Sequence, residues 1–162
     1  MAFKVFLSYG NGPGEQVLAW RLQTLATAHG IHVFVPQRNG APARSLVRHI
    51  TLTDDVRRKI DQSDCVLAII TGMAGPAVEA ELTYASTKRK VVIPVVQQGA
   101  FTPAFLDQLP RFEFSPWNLG QVESDVIGYL KEKRFSKQNQ QAVGALVAIG
   151  LGLFLLSALS EK

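Results

Sequence analysis

The sequence predicts an α/β fold: five parallel strands in the order 2-1-3-4-5, with helices on both faces of the sheet. Three observations support this. Apolar strand-like segments, the longest being Val66 to Ile70 and Val91 to Val96, alternate with segments of helical period along the first 134 residues. The third and fourth of these are continuously apolar, as strands covered on both faces are, and do not alternate in and out. Glycine and proline punctuate the junctions, as at Gly10-Asn11-Gly12-Pro13-Gly14 and Gly75-Pro76.

Phe3 to Ser8 is the first strand, and the glycine-rich loop after it turns the chain, with Pro13 suited to open a helix. Val17, Trp20, Leu22, Leu25 and Ala28 mark that helix, with Trp20 expected in the core, and His29-Gly30 end it. Ile31 to Val35 is the second strand, stopped by Pro36. A long polar loop, Gln37 to about Arg48, leads to a helix near Leu52–Ile60, where Asp54 and Asp55 suit the dipole of a first turn. Val66 to Ile70 is the third strand, Thr71 to Gly75 a turn, and Pro76 opens a helix carrying Val78, Glu81, Leu82 and Ala85. Val91 to Val96 is the fourth strand, Pro103–Leu109 a short helix, Phe112 to Phe114 a brief fifth strand, and Leu119–Lys133 a last helix. Together these elements make a flavodoxin-like arrangement over residues 1–134.

In an open parallel sheet the pocket lies beyond the carboxyl ends of the strands, where strand order reverses. Here that point falls between strands one and three. The loops meeting there are Ser8-Tyr9-Gly10-Asn11 and Thr71-Gly72-Met73, with the Glu81 helix behind them. On a wheel of about 100° per residue, Leu82 and Ala85 fall beside Val78; Glu81 lies about 60° off that stripe, and Glu79 about 100° away on the other side. Glu81 is therefore expected to be a half-buried acid at the pocket, and Glu79 a solvated one. The plainer alternative is a surface acid paired with Lys88 or Arg89.

Composition excludes several classes. The net charge is +4, but Lys131, Lys133, Arg134 and Lys137 hold much of it, and no basic helix with interleaved aromatics suggests a nucleic-acid partner. The single cysteine, Cys65, cannot form an internal bridge and reads as a buried, reduced thiol. His29, His32 and His49 lack metal-ligand spacing, so no metal and no bound cofactor are expected. The glycines of the first loop do not have the dinucleotide-fingerprint spacing. No acidic residue ends the first strand, which argues against a receiver-like phosphoacceptor.

The terminus differs in character. Ala142 to Leu159 contains no charge, and its length of about 18 residues reaches the lower end of membrane-spanning helices. A basic and polar linker, 135–141, precedes it, so the positive-inside tendency places the large domain in the cytoplasm. The expectation is a single-pass tail anchor with membrane lipid around it. Gly144, Ala148 and Gly152 recur every fourth residue, a spacing that permits close helix–helix approach and self-association. A buried core helix is the alternative.

The pattern resembles a TIR domain of the compact bacterial kind. Val5-Phe6-Leu7-Ser8-Tyr9, the long loop after Val33-Phe34-Val35, Ile60-Asp61-Gln62-Ser63-Asp64, Val78-Glu79-Ala80-Glu81-Leu82-Thr83-Tyr84-Ala85 and Lys90-Val91-Val92-Ile93-Pro94-Val95 carry the resemblance in order. It implies that Glu81 is the catalytic residue for cleaving the nicotinamide–ribose bond of NAD, which is then substrate and not cofactor. Ser8 and Tyr9 would contact ribose or stack near the base, with Gly10, Asn11, Thr71, Gly72 and Ala77 lining the site. Arg38 and Arg44 would meet phosphates or a neighbouring subunit, since the loop between Gln37 and Arg48 is the family's usual self-association element. Two positions depart from the pattern: many TIR NADases have an aromatic where this chain has Ala77, and a basic residue where it has Gly10.

The resemblance implies a membrane-anchored NAD glycohydrolase, or producer of an NAD-derived signal, in anti-phage defence or cell-death signalling. One alternative is a non-catalytic module that self-associates and docks other TIR or defence proteins. Another is an enzyme of the nucleoside deoxyribosyltransferase type, which uses a similar sheet and a carboxylate.

Overall fold

The structure, a computed structural model, describes residues 2–10, 14–36 and 52–139. Its elements in order are β1 (Lys4–Tyr9), α1 (Glu15–Ala28), β2 (His32–Phe34), α2 (Asp54–Asp61), β3 (Cys65–Ile70), α3 (Pro76–Thr87), β4 (Val91–Gln97), β5 (Phe112–Phe114) and α4 (Leu119–Asn139). All four strand pairings are parallel, in the order β2-β1-β3-β4-β5 that the sequence predicts. Central β3 pairs with β1 from Val5↔Cys65 to Tyr9↔Ile69, and with β4 from Cys65↔Val91 to Ile70↔Val96. All six of its residues are buried, which is why it reads as an unbroken apolar run.

Strand alternation divides the core in two. Val5, Leu7 and Tyr9 of β1 face α1 and α4, packing with Leu18, Leu22, Val126 and Tyr129. Phe6 faces the other way, with Ile60 of α2 and Val78, Leu82 and Ala85 of α3. Each fully buried Leu, Ile or Val contributes about 1.5–3 kcal/mol relative to exposure.

Three expectations change. First, α1 does not turn Trp20 inward. Its buried residues are Glu15, Leu18, Ala19, Leu22 and Ala26, whereas Val17 is 53% exposed and Trp20 52%. At about 100° per residue those five span a narrow arc, and Trp20 lies about 140° from Glu15. The largest apolar side chain was the wrong guide to the helix phase. Second, Pro103–Leu109 forms only a 3-10 turn, Ala104–Leu106. Pro110 disfavours helical geometry at Leu109, leaving too short a stretch between two prolines for an α-helix. Third, α4 continues past Lys133 to Asn139, so the first part of the expected linker is helix.

No helix among the described residues is long and apolar enough to cross a membrane. The expected anchor, Ala142–Leu159, lies outside the described residues, as does the loop from Gln37 to Arg48.

Candidate functional site

The site begins with alternation in β1. Ser8, next to last in the strand, points to the α3 side and is fully buried. Gly75 precedes α3 in extended geometry, and Pro76 occupies its first turn, where a missing N–H costs nothing. The helix packs across β1, β3 and β4 with Val78, Glu81, Leu82 and Ala85 inward. Glu81 Oε1 accepts a hydrogen bond of 2.7 Å from Ser8 Oγ, across 73 residues of sequence.

Glu81 is 0% exposed, not half-buried, and Glu79 is exposed as expected. The offset of about 60° that suggested partial exposure is closed by β1, which lies on that flank of α3. Pairing with Lys88 on the surface does not occur: Lys88 Nζ sits 5.5 Å from the centre of the Tyr84 ring. Burying a carboxylate costs several kcal/mol unless hydrogen bonds compensate, so a stability argument alone favours an apolar residue here.

A second buried carboxylate was not singled out in the sequence. Glu15, 2% exposed in the first turn of α1, joins the two loops at the switch point. Its Oε2 accepts from Gly10 N at 2.8 Å, and its Oε1 accepts from Thr71 N at 2.9 Å and Thr71 Oγ1 at 2.8 Å. The end of β1 is thereby fastened to the end of β3. A Cβ on Gly10 would lie 3.0 Å from Glu15 Oε2 and 3.7 Å from Val78 Cγ2, so the first loop passes close against both the clamp and α3. The available signal was position: Glu15 begins the arc continued by Leu18, Ala19, Leu22 and Ala26.

The remaining expected site residues fall as follows. Thr71 is held by the Glu15 clamp, and Gly72 O accepts from Phe101 N at 2.8 Å, tying the loop after β3 to the one after β4. Ala77 lies partly exposed in the first turn of α3. Tyr9 is placed otherwise than a stacking role requires. Its ring is 1% exposed in the core on the α1–α4 side, and its hydroxyl donates to Pro36 O at 2.7 Å. One residue further along β1 than Ser8, it necessarily faces away from Glu81. Asn11, Arg38 and Arg44 lie outside the described residues.

The arrangement thus consists of a buried carboxylate oriented by a serine hydroxyl, beneath loops fastened by a second carboxylate, at the strand-order reversal of a parallel sheet. A family model described as TIR domain matches residues 5–124. The chain belongs to the TIR-domain family. Among solved structures, it is similar to the TIR domain of the Toll-related receptor TRR-2 from Hydra magnipapillata, at TM-score 0.56 and 14% identity, covering 79% of this chain and 97% of that one. The CMP N-glycosidase BcmB from Clostridium botulinum superposes at TM-score 0.51 and 16% identity, covering 76% and 97%. The flavodiiron core of Flv1 from Synechocystis does so at TM-score 0.54 and 16% identity, and this chain spans 36% of that protein's length. At these identities the likenesses concern the fold. No curated protein matches the sequence. The TIR match covers both Ser8 and Glu81, so the buried hydrogen-bonded pair lies inside the domain that defines the family.

Proposed function

We propose that this TIR-domain protein is an NAD glycohydrolase, or a producer of an NAD-derived signal, in immune or cell-death signalling. In this reading it is held at a membrane by Ala142–Leu159, with the domain on the cytoplasmic side. The observation that carries the reading is the 2.7 Å Ser8–Glu81 hydrogen bond at the switch point, inside the stretch that matches the TIR family. Breaking the bond between nicotinamide and ribose leaves an oxocarbenium-like sugar, and nicotinamide departs with the bonding electron pair. A carboxylate fixed beside the anomeric carbon stabilises the developing positive charge, more strongly at a site that excludes water. Ser8 Oγ fixes one carboxylate oxygen in advance, so less reorganisation accompanies the reaction. Water then adds to the ribose carbon and releases a proton, giving ADP-ribose; capture by a group within the nucleotide gives a cyclic product. A fold neighbour described as a CMP N-glycosidase is in keeping with this reading.

A docking module is the second reading, favoured by the complete burial of Glu81 together with Ala77 and Gly10 at positions where many TIR NADases have an aromatic and a basic residue. Full-length protein expressed in cells, beside Glu81→Gln at equal abundance, separates the two when total NAD is followed. NAD loss confined to the Glu81 form supports cleavage. Unchanged NAD in both, including after forced clustering, refutes it in favour of docking. Base exchange on free nucleosides without NAD loss would instead indicate a deoxyribosyltransferase-type activity.

A further inference from the structure

Cations gather at one end of the strand axis. At the edge holding the carboxyl ends of the strands charges are mixed: Asp54 pairs with Arg57, Asp55 pairs with Arg58 and Lys59, and Glu15 and Glu81 are buried. The opposite edge, where strands begin and helices end, is strongly basic. Lys88, Arg89 and Lys90 follow α3, and Lys131, Arg134 and Lys137 lie on the last half of α4; Lys88, Arg89 and Lys131 are exposed, whereas Lys90 Nζ donates to Asp61 O and Ser63 O and Arg134 donates to His29 O. Among the described residues at that edge, the opposing carboxylates are Asp61, Asp64 and Glu132. Asp64 is already engaged by Lys137 Nζ at 2.9 Å and Lys4 N at 2.8 Å.

The basic edge also carries an exposed aromatic ring. Phe135 is 67% exposed, one helical turn after Lys131 and adjacent in sequence to Arg134. An exposed phenylalanine among lysines and arginines suits the headgroup region of an anionic bilayer, where the ring enters the boundary and the cations meet phosphates. Position supports the same occupant. α4 reaches Asn139 at this edge, and the uncharged run Ala142–Leu159 begins three residues later in the sequence.

We infer that the edge formed by Lys88, Arg89, Lys131, Arg134 and Phe135 docks on an anionic membrane surface, so that the sheet edge holding the Ser8–Glu81 pair faces away from the bilayer. Docking fixes which edge of the sheet, the one where β1 and β3 end, is turned toward the solvent. The inference is independent of what Glu81 cleaves.

The test uses the full-length chain with one fluorophore on an introduced cysteine, either Ser86→Cys at the basic edge or Met73→Cys at the pocket edge. The two sites bracket α3, roughly 20 Å apart by helix rise. Native Cys65 does not compete for label, because burial pushes its thiol up to about 12. After co-flotation with phosphatidylcholine vesicles, with or without 30% phosphatidylserine, quenching by spin-labelled headgroups is compared at the two sites. The expected result is several-fold stronger quenching at residue 86 than at 73 in anionic vesicles, abolished by 0.5 M salt. Each cation near an anionic surface contributes about fivefold, so Lys88→Glu with Arg89→Glu should shift the docked-to-undocked ratio by at least about 25-fold. Failure to float with either vesicle, equal quenching at both sites, insensitivity to salt and lipid charge, or retention by duplex DNA in place of vesicles would each overturn the inference.

Discussion

Replacing Glu15 tests whether the clamp, rather than chance proximity, holds the pocket loops together. In Glu15→Gln the amide oxygen can still accept from Thr71, but the amide nitrogen then faces Gly10 N–H, a donor against a donor. One charge-assisted bond of 2.8 Å is lost and the other two, at 2.9 and 2.8 Å, become neutral. Charged hydrogen bonds contribute about 1.5–3 kcal/mol and neutral ones about 0.5–1.5. Gly10 and Thr71 are partly exposed, so water compensates some of the loss. The expected destabilisation is about 1–3 kcal/mol for Glu15→Gln and about 2–4 for Glu15→Ala. Urea unfolding of the purified protein gives the shift in midpoint, and a cycle with Thr71→Val isolates the coupling, expected at about 0.5–2 kcal/mol. If the pocket is catalytic, Glu15→Gln also lowers kcat/KM without touching substrate, because the loops on either side of the switch point are no longer fixed. A midpoint within about 0.5 kcal/mol of the parent, with no coupling to Thr71, would refute the clamp.

Further outcomes follow from burial and close contact. Trp20→Ser, which removes a half-exposed ring, should cost about 1 kcal/mol, whereas Leu22→Ala, two residues on and 1% exposed, should cost about 2–5; thermal unfolding distinguishes them. Gly10→Ala places its methyl 3.0 Å from Glu15 Oε2, so the carboxylate must move, and a loss of about 1 kcal/mol is expected by the same measurement. Burial raises the Cys65 thiol from its ordinary 9.0 to about 12, so the folded state keeps a proton that the unfolded state releases in this window. Its contribution is intact below pH 9 and is lost as pH rises towards 12, at no more than about 1.4 kcal/mol per pH unit. Cys65→Val should remove that loss when urea midpoints are compared at pH 8 and 10.5. Burial holds the Lys133 ammonium below its ordinary range, an effect of opposite sign, but Lys133 is present in both proteins and largely cancels.

The fold was legible because local pattern and tertiary demand agree at most positions. The six residues of β3 are apolar because both sheet faces are covered, and a window of sequence sees that directly. The inward placement of Glu81 was legible for a related reason: it lies near the apolar stripe of a helix that follows a buried strand and its turn. What periodicity does not encode is which partner closes over a side chain. Glu81 reads as half-buried until β1 is placed on its flank; Trp20 reads as core until α1 is rotated onto Glu15, Leu18 and Leu22. Glu15 was hidden most completely. As a polar residue just after a glycine-rich loop it looks like an ordinary helix-start acid. Its three identified partners, Gly10 N and the two donors of Thr71, converge only when the parallel register brings the ends of β1 and β3 together. Tyr9 shows the converse. Within Ser8-Tyr9 the motif suggests two residues acting on one ligand, yet a strand sends neighbours to opposite faces, so Ser8 reaches Glu81 only if Tyr9 turns into the core.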